Sequence, residues 1–174
     1  VPDDALYYAI PSWDWLRHAV WAGESPWWVP GKLGGVSLFA DVVPMGPFYP
    51  TALFALVLPA VPGLILATLL HAVGAFFATR WAARVHGASA PSATMAGLAV
   101  LVGPVGASAV IDAQFDAWPT FLWFPVVLGC LHLAADATGR RRGRLLAAAG
   151  AAVALLLLGS HLRVAAVAGA ALAL

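Results

Sequence analysis

Asp3 and Asp4 are adjacent carboxylates, followed by Ala-Leu-Tyr-Tyr. Two acids at this spacing can hold a divalent cation or supply a general base, because each charge alters the proton affinity of the other. The plainer alternative is a solvated helix cap or turn, where acids are common. Asp112 and Asp116 are four apart, so on a continuing helix both carboxylates face one way and suit a cation or a sugar hydroxyl. A helix end that merely needs polar residues at an interface explains them equally simply. His161 and Arg163 stand beside an apolar run, where a cation calls for a counter-charge or an anionic ligand such as the phosphate of a lipid-linked donor. Snorkelling to headgroups is the alternative. Asp41 lies in an apolar context and needs a partner, for which Lys32 is the candidate.

His71 and His132 sit in apolar runs without a second ligand at metal spacing and read as packing residues that hydrogen-bond a neighbouring helix. Cys130 is the single cysteine and reads as a small packing residue, since one thiol cannot form an internal bridge. The chain contains no GxGxxG, P-loop, CxxC or GxSxG motif.

The elements that must position these residues are apolar. Hydrophobic residues make up 62% of the 174 and charged residues 10%, and the mean hydropathy of +0.88 leaves too little polar surface for a water-soluble domain. The pattern predicts an all-α, polytopic transmembrane helix bundle of about 4–5 spans. Placed against those spans, Asp3, Asp4, Asp14, Glu24, Asp41, Asp112 and Asp116 fall on one side, together with Trp13, Trp15, Trp21, Trp27, Trp28, Trp118 and Trp123. Arg80, Arg84, Arg140, Arg141, Arg142 and Arg144 fall on the other, which the positive-inside asymmetry makes cytoplasmic. A net charge of +1 gives no reason to expect nucleic acid.

Residues 1–50 are punctuated by Pro2, Pro11, Pro26, Pro30, Pro44 and Pro47 and by Gly31, Gly34, Gly35 and Gly46, and read as a long N-terminal extracytoplasmic loop. Within it Ser12 is expected to cap an amphipathic helix running to Ala22, with Gly23 as its stop. Trp13, Leu16 and Val20 then share one face and Asp14, Arg17 and His18 another, as in a helix lying flat at the headgroups. Residues 51–174 read as the transmembrane bundle, incomplete and part of a longer protein, with a span expected before Val1. Its predicted pieces are a short interfacial helix at 49–58 and a span at 61–83. A further span at 92–110 is kinked near Gly103-Pro104, and two more lie at 119–135 and 145–158.

The order of these features resembles a known family. Gly23-Glu-Ser-Pro26-Trp27-Trp28-Val-Pro30, the pair Gly34-Gly35, Phe48-Tyr49-Pro50 and Leu70-His71-Ala-Val-Gly74 are similar to the bacterial YfhO-like membrane proteins, within the GT-C class of polytopic glycosyltransferases. The resemblance covers roughly residues 3–135, and the family's Trp-Asn-Pro reads Trp28-Val29-Pro30 here. It implies a bacterial inner-membrane enzyme that takes a sugar from a polyprenyl-phosphate carrier on the outer face and passes it to a cell-envelope acceptor. On that reading Asp3 or Asp4 is the catalytic base, with the pair also a candidate site for a divalent cation. Asp112, Asp116, His161, Arg163, Trp27 and Trp28 are candidates for substrate binding. A transporter or flippase, with charge lining a path, and a non-catalytic membrane scaffold are the competing expectations.

Overall fold

The computed structural model describes residues 9–29, 34–37, 48–103, 106–107 and 117–159. They hold six α-helices: α1 (Ile10–Ala22), α2 (Leu53–Val57), α3 (Ala60–Val85), α4 (Ala90–Val102), α5 (Ala117–Ala135) and α6 (Gly139–Gly159).

Helix α1 starts on Ile10-Pro11, where the missing proline N–H costs nothing and φ is preset. It closes on Gly23 at φ 71°. There the Gly23 and Glu24 N–H groups donate to the Val20 and Ala19 carbonyls at 3.2 and 2.8 Å, the paired closure that a left-handed residue makes available. Gly23 is therefore the expected stop. Ser12 is not the cap: it lies inside the helix, buried, and its hydroxyl finds no partner among the described residues. The buried face is also rotated, with Trp13, Leu16 and Ala19 inward and Val20 exposed. Helix α1 packs on α2 and α3, and the Trp13 ring lies over Gly63, where a Cβ would stand 3.1 Å from it. It is docked on α2 and α3 through its buried face.

Two residue pairs depart from an all-helical chain. Trp28–Val29 (β1) pairs antiparallel with Val36–Ser37 (β2), Trp28 opposite Ser37 and Val29 opposite Val36. Gly35, at φ 114°, leaves room for the Trp28 ring, which a Cβ there would meet at 2.4 Å. The short helix expected at 49–58 is present as a 3₁₀ turn, Pro50–Ala52, running into α2. Leu58 is extended (ψ 151°), as a residue before proline should be.

Three helices, α3, α5 and α6, are long and apolar enough to cross a membrane, at 26, 19 and 21 residues. Helix α4, at 13 residues, rises only about 20 Å against the ~30 Å of a hydrocarbon core. It ends at Val102, with Gly103 extended behind it; residues 106–107 are helical again and the Ala107 N–H donates to the Gly103 carbonyl at 2.9 Å, so the helical path is interrupted where the kink is expected. The last span begins earlier than expected. Helix α6 takes Arg140, Arg141, Arg142 and Arg144 into its first turns instead of leaving them in a loop. Pro125 sits within α5, a placement that neighbouring helices make tolerable in a membrane.

Packing inverts the rule of soluble proteins. The buried face of α3 is Ala60, Gly63, Ala67, Ala75, Ala78 and Ala82, joined by Leu64 and His71, whereas Val61, Ile65, Leu69, Val73 and Phe77 are exposed. Small residues inward let helices approach closely, and large aliphatics outward suit a lipid solvent. Large side chains then seat over glycines: Leu122 over Gly74, Phe76 over Gly97 and Trp81 over Gly129. Through such seats α3 packs against α4 and α5; α5 also packs against α6, where Pro119 lies against Gly159.

Charge is left at the ends. Arg80 donates from Nε to Thr94 Oγ1 at 3.2 Å and Arg84 from Nη1 to the Ala88 carbonyl at 2.7 Å, joining the end of α3 to the start of α4. The His86 and His132 rings meet there at 4.3 Å, bringing together the ends of α3 and α5. At the opposite end lie α1, α2 and Tyr49.

Candidate functional site

Tyr49 precedes Pro50 and is held extended (φ −78°, ψ 137°) by that proline. Its ring is buried at 2% exposure and enters the bundle between α3, α5 and the last residue of α6. Its hydroxyl lies 2.6 Å from His71 Nε2, while His71 Nδ1 lies 2.7 Å from the Ala67 carbonyl. A carbonyl only accepts, so Nδ1 carries the proton and Nε2 accepts from the Tyr49 O–H. Trp123 Nε1–H from α5 donates to the same phenol oxygen at 2.7 Å. The Tyr49 and His71 rings also stack, centroids 5.3 Å apart and 26° between planes.

Gly159 completes the seat, since a Cβ there would meet Tyr49 Cε2 at 2.5 Å and Pro119 Cβ at 2.8 Å. The result is a continuous chain, indole to phenol to imidazole to carbonyl, linking the segment before α2 to α3 and α5, with Gly159 of α6 against the ring. Burial pushes the Tyr49 phenol up to about 12 from its ordinary 10.0, opposed by the Trp123 hydrogen bond. Tyr49 is thus a neutral donor at physiological pH and serves as a clasp rather than a base.

Trp27 and Trp28 stand on the surface beside this clasp. Trp27 stacks on Phe48 at 5.1 Å and 20°, and Trp28 covers Gly35. Both keep about half their area exposed, 44% and 54%. The two halves of the motif block, Pro26-Trp27-Trp28 and Phe48-Tyr49-Pro50, therefore touch.

On α1, Asp14, Arg17, His18, Trp21 and Ala22 line an open cleft of about 480 Å³. Trp21 is 73% exposed, yet its ring nitrogen donates to the Leu56 carbonyl of α2 at 2.8 Å. The polar face expected for Asp14, Arg17 and His18 is present, and Trp21 joins it one turn on.

Asp3, Asp4, Lys32, Asp41, Asp112, Asp116, His161 and Arg163 lie outside the described residues. Among the described residues no group of three or more His, Cys, Asp or Glu could hold a metal. His71 hydrogen-bonds as a packing histidine should, although its partner is Tyr49 from the preceding segment rather than a helix. The roles of Tyr49, Trp123 and Trp21 were missed. Their only sequence signal is a polar-tipped aromatic at the end of an apolar run, which a buried hydrogen bond and an interfacial position share. The chain matches no family model, no curated protein and no solved structure.

Proposed function

We propose that this chain belongs to a bacterial inner-membrane glycosyltransferase of the GT-C type, which transfers a sugar from a polyprenyl-phosphate donor to a cell-envelope acceptor on the outer face. Residues 1–50 are then extracytoplasmic and the arginines of α3 and α6 cytoplasmic. The observation that carries this reading is the contact between the two halves of its most specific motif block: Trp27 stacks on Phe48, and the adjoining Tyr49 is clamped by His71 and Trp123. A segment fixed to the bundle this way can hold reacting groups at one height above the membrane, as positioning for group transfer requires.

In the proposed mechanism Asp3 or Asp4 takes the proton of the acceptor hydroxyl as its oxygen displaces the carrier phosphate at the anomeric carbon. Arg163 is the candidate cation to offset the charge on the leaving phosphate; a divalent metal, were one held by Asp3 and Asp4, would supply the same neutralisation. The test is sugar transfer by the full-length protein in membranes, comparing Asp3→Asn and Asp4→Asn with the parent at matched expression. Loss of at least 100-fold in one variant is expected, at the low end of what a general base contributes, about 10²–10⁴-fold. Two fully active variants would remove the assignment.

A further inference from the structure

The exposed indole on α1 is in an unusual state. Trp21 is the most exposed tryptophan among the described residues, at 73%, but its nitrogen is tied down by the Leu56 carbonyl 35 residues away. The bond uses the ring's one donor and fixes its plane while leaving its area open. Asp14, Arg17, His18 and Trp21 are spaced i, i+3, i+4, i+7 and so form one stripe on α1, and together they line the cleft. Among the described residues Asp14, Arg17 and His18 have no ion pair or hydrogen bond that occupies their polar atoms. His18 is steadied by its contact with Trp15, ring centroids 5.9 Å apart.

We propose that this cleft binds a pyranose ring of a glycan, with Trp21 as the stacking platform and Asp14 and Arg17 as the hydrogen-bonding rim. A pyranose presents a face of C–H groups and an edge of hydroxyls. The C–H face suits the electron-rich face of a fixed indole. The hydroxyl edge donates to Asp14, which only accepts, and accepts from Arg17, which only donates. A lipid phosphate fits less well, because Asp14 repels the anion that Arg17 would attract. Lipid tails are excluded by the charged rim. The proposal deepens the transferase reading, on which only the glycan's role as acceptor rests. It is read by binding and not by transfer, so either can fail alone.

The experiment is isothermal titration of the full-length protein, in phosphatidylcholine nanodiscs, with maltotetraose, mannotetraose and chitotetraose. At least one is expected to bind saturably. Trp21→Ala should weaken it about tenfold, the loss of one aromatic stacking contact, while Trp21→Tyr keeps most of the affinity. Asp14→Asn, which leaves the platform intact, should weaken binding several-fold and covers the case in which Trp21→Ala does not fold. No saturation by any of the three, or unchanged affinity in both Trp21→Ala and Asp14→Asn, overturns the proposal. Arg17-dependent binding of phosphatidylglycerol vesicles without sugar binding would mark the cleft as a headgroup contact and overturns it too.

Discussion

At the end of the bundle that holds Tyr49, polar groups from three elements satisfy one another in a buried chain: Trp123 to Tyr49 to His71 to Ala67. At the other end the polar contacts are more exposed, Arg80 on Thr94, Arg84 on Ala88 and His86 against His132. The difference is one of dielectric and of competition. Water replaces an exposed hydrogen bond at little cost, whereas a buried one has no substitute and so dictates geometry. The Tyr49 end is where a site can be held rigidly, and the arginine end is the more adaptable of the two.

The contrast predicts unequal responses to substitution. Tyr49→Ala should be most damaging, because it removes a buried ring and orphans both Trp123 Nε1 and His71 Nε2; a loss of about 3–5 kcal/mol would appear as a large fall in melting temperature in nanodiscs. A small change would mean that the clasp does not hold the segment before α2.

Tyr49→Phe keeps the ring and removes only the hydroxyl, at about 1–3 kcal/mol for the polar groups left unpaired. The same variant isolates a pH effect. The folded state holds the phenol proton up to about 12, against 10.0 in the unfolded chain, so between these values the unfolded state binds fewer protons. The stabilisation is complete below pH 10 and is lost as pH rises toward 12. Melting of the parent should fall over this window, and Tyr49→Phe should lack that part of the fall. Equal slopes would show that the phenol is not the buried donor.

Arg84→Gln at the opposite end should matter least, under about 1 kcal/mol, because its bond to Ala88 is exposed. A loss matching that of Tyr49→Phe would erase the distinction between the two ends.

Much of the bundle was legible because apolar length and breakers are strong signals. The spans read at 61–83 and 119–135 are Ala60–Val85 and Ala117–Ala135, and Gly23 stops α1 because few other residues accept its φ. The misreadings share a cause. Ser12 has the chemistry of a cap, but Pro11 starts the helix before it and packing on α3 buries it. Val20 and Ala19 are adjacent, and only the docking of Trp13 over Gly63 selects which faces inward. Of the candidate site, the polar stripe Asp14, Arg17 and His18 could be read from helical spacing. That Trp21 is anchored by residue 56 could not.

Composition and periodicity by themselves determined that this is a helical, lipid-suited chain with its charges at the ends of its apolar runs, because burying charge in hydrocarbon is costly wherever it occurs. Tertiary structure alone decided that Tyr49, His71, Trp123 and Gly159 meet. Contacts between residues so far apart in the chain depend on how the helices seat against one another, and in lipid that seating is chosen by the close fit of large side chains over glycines rather than by hydrophobic pattern.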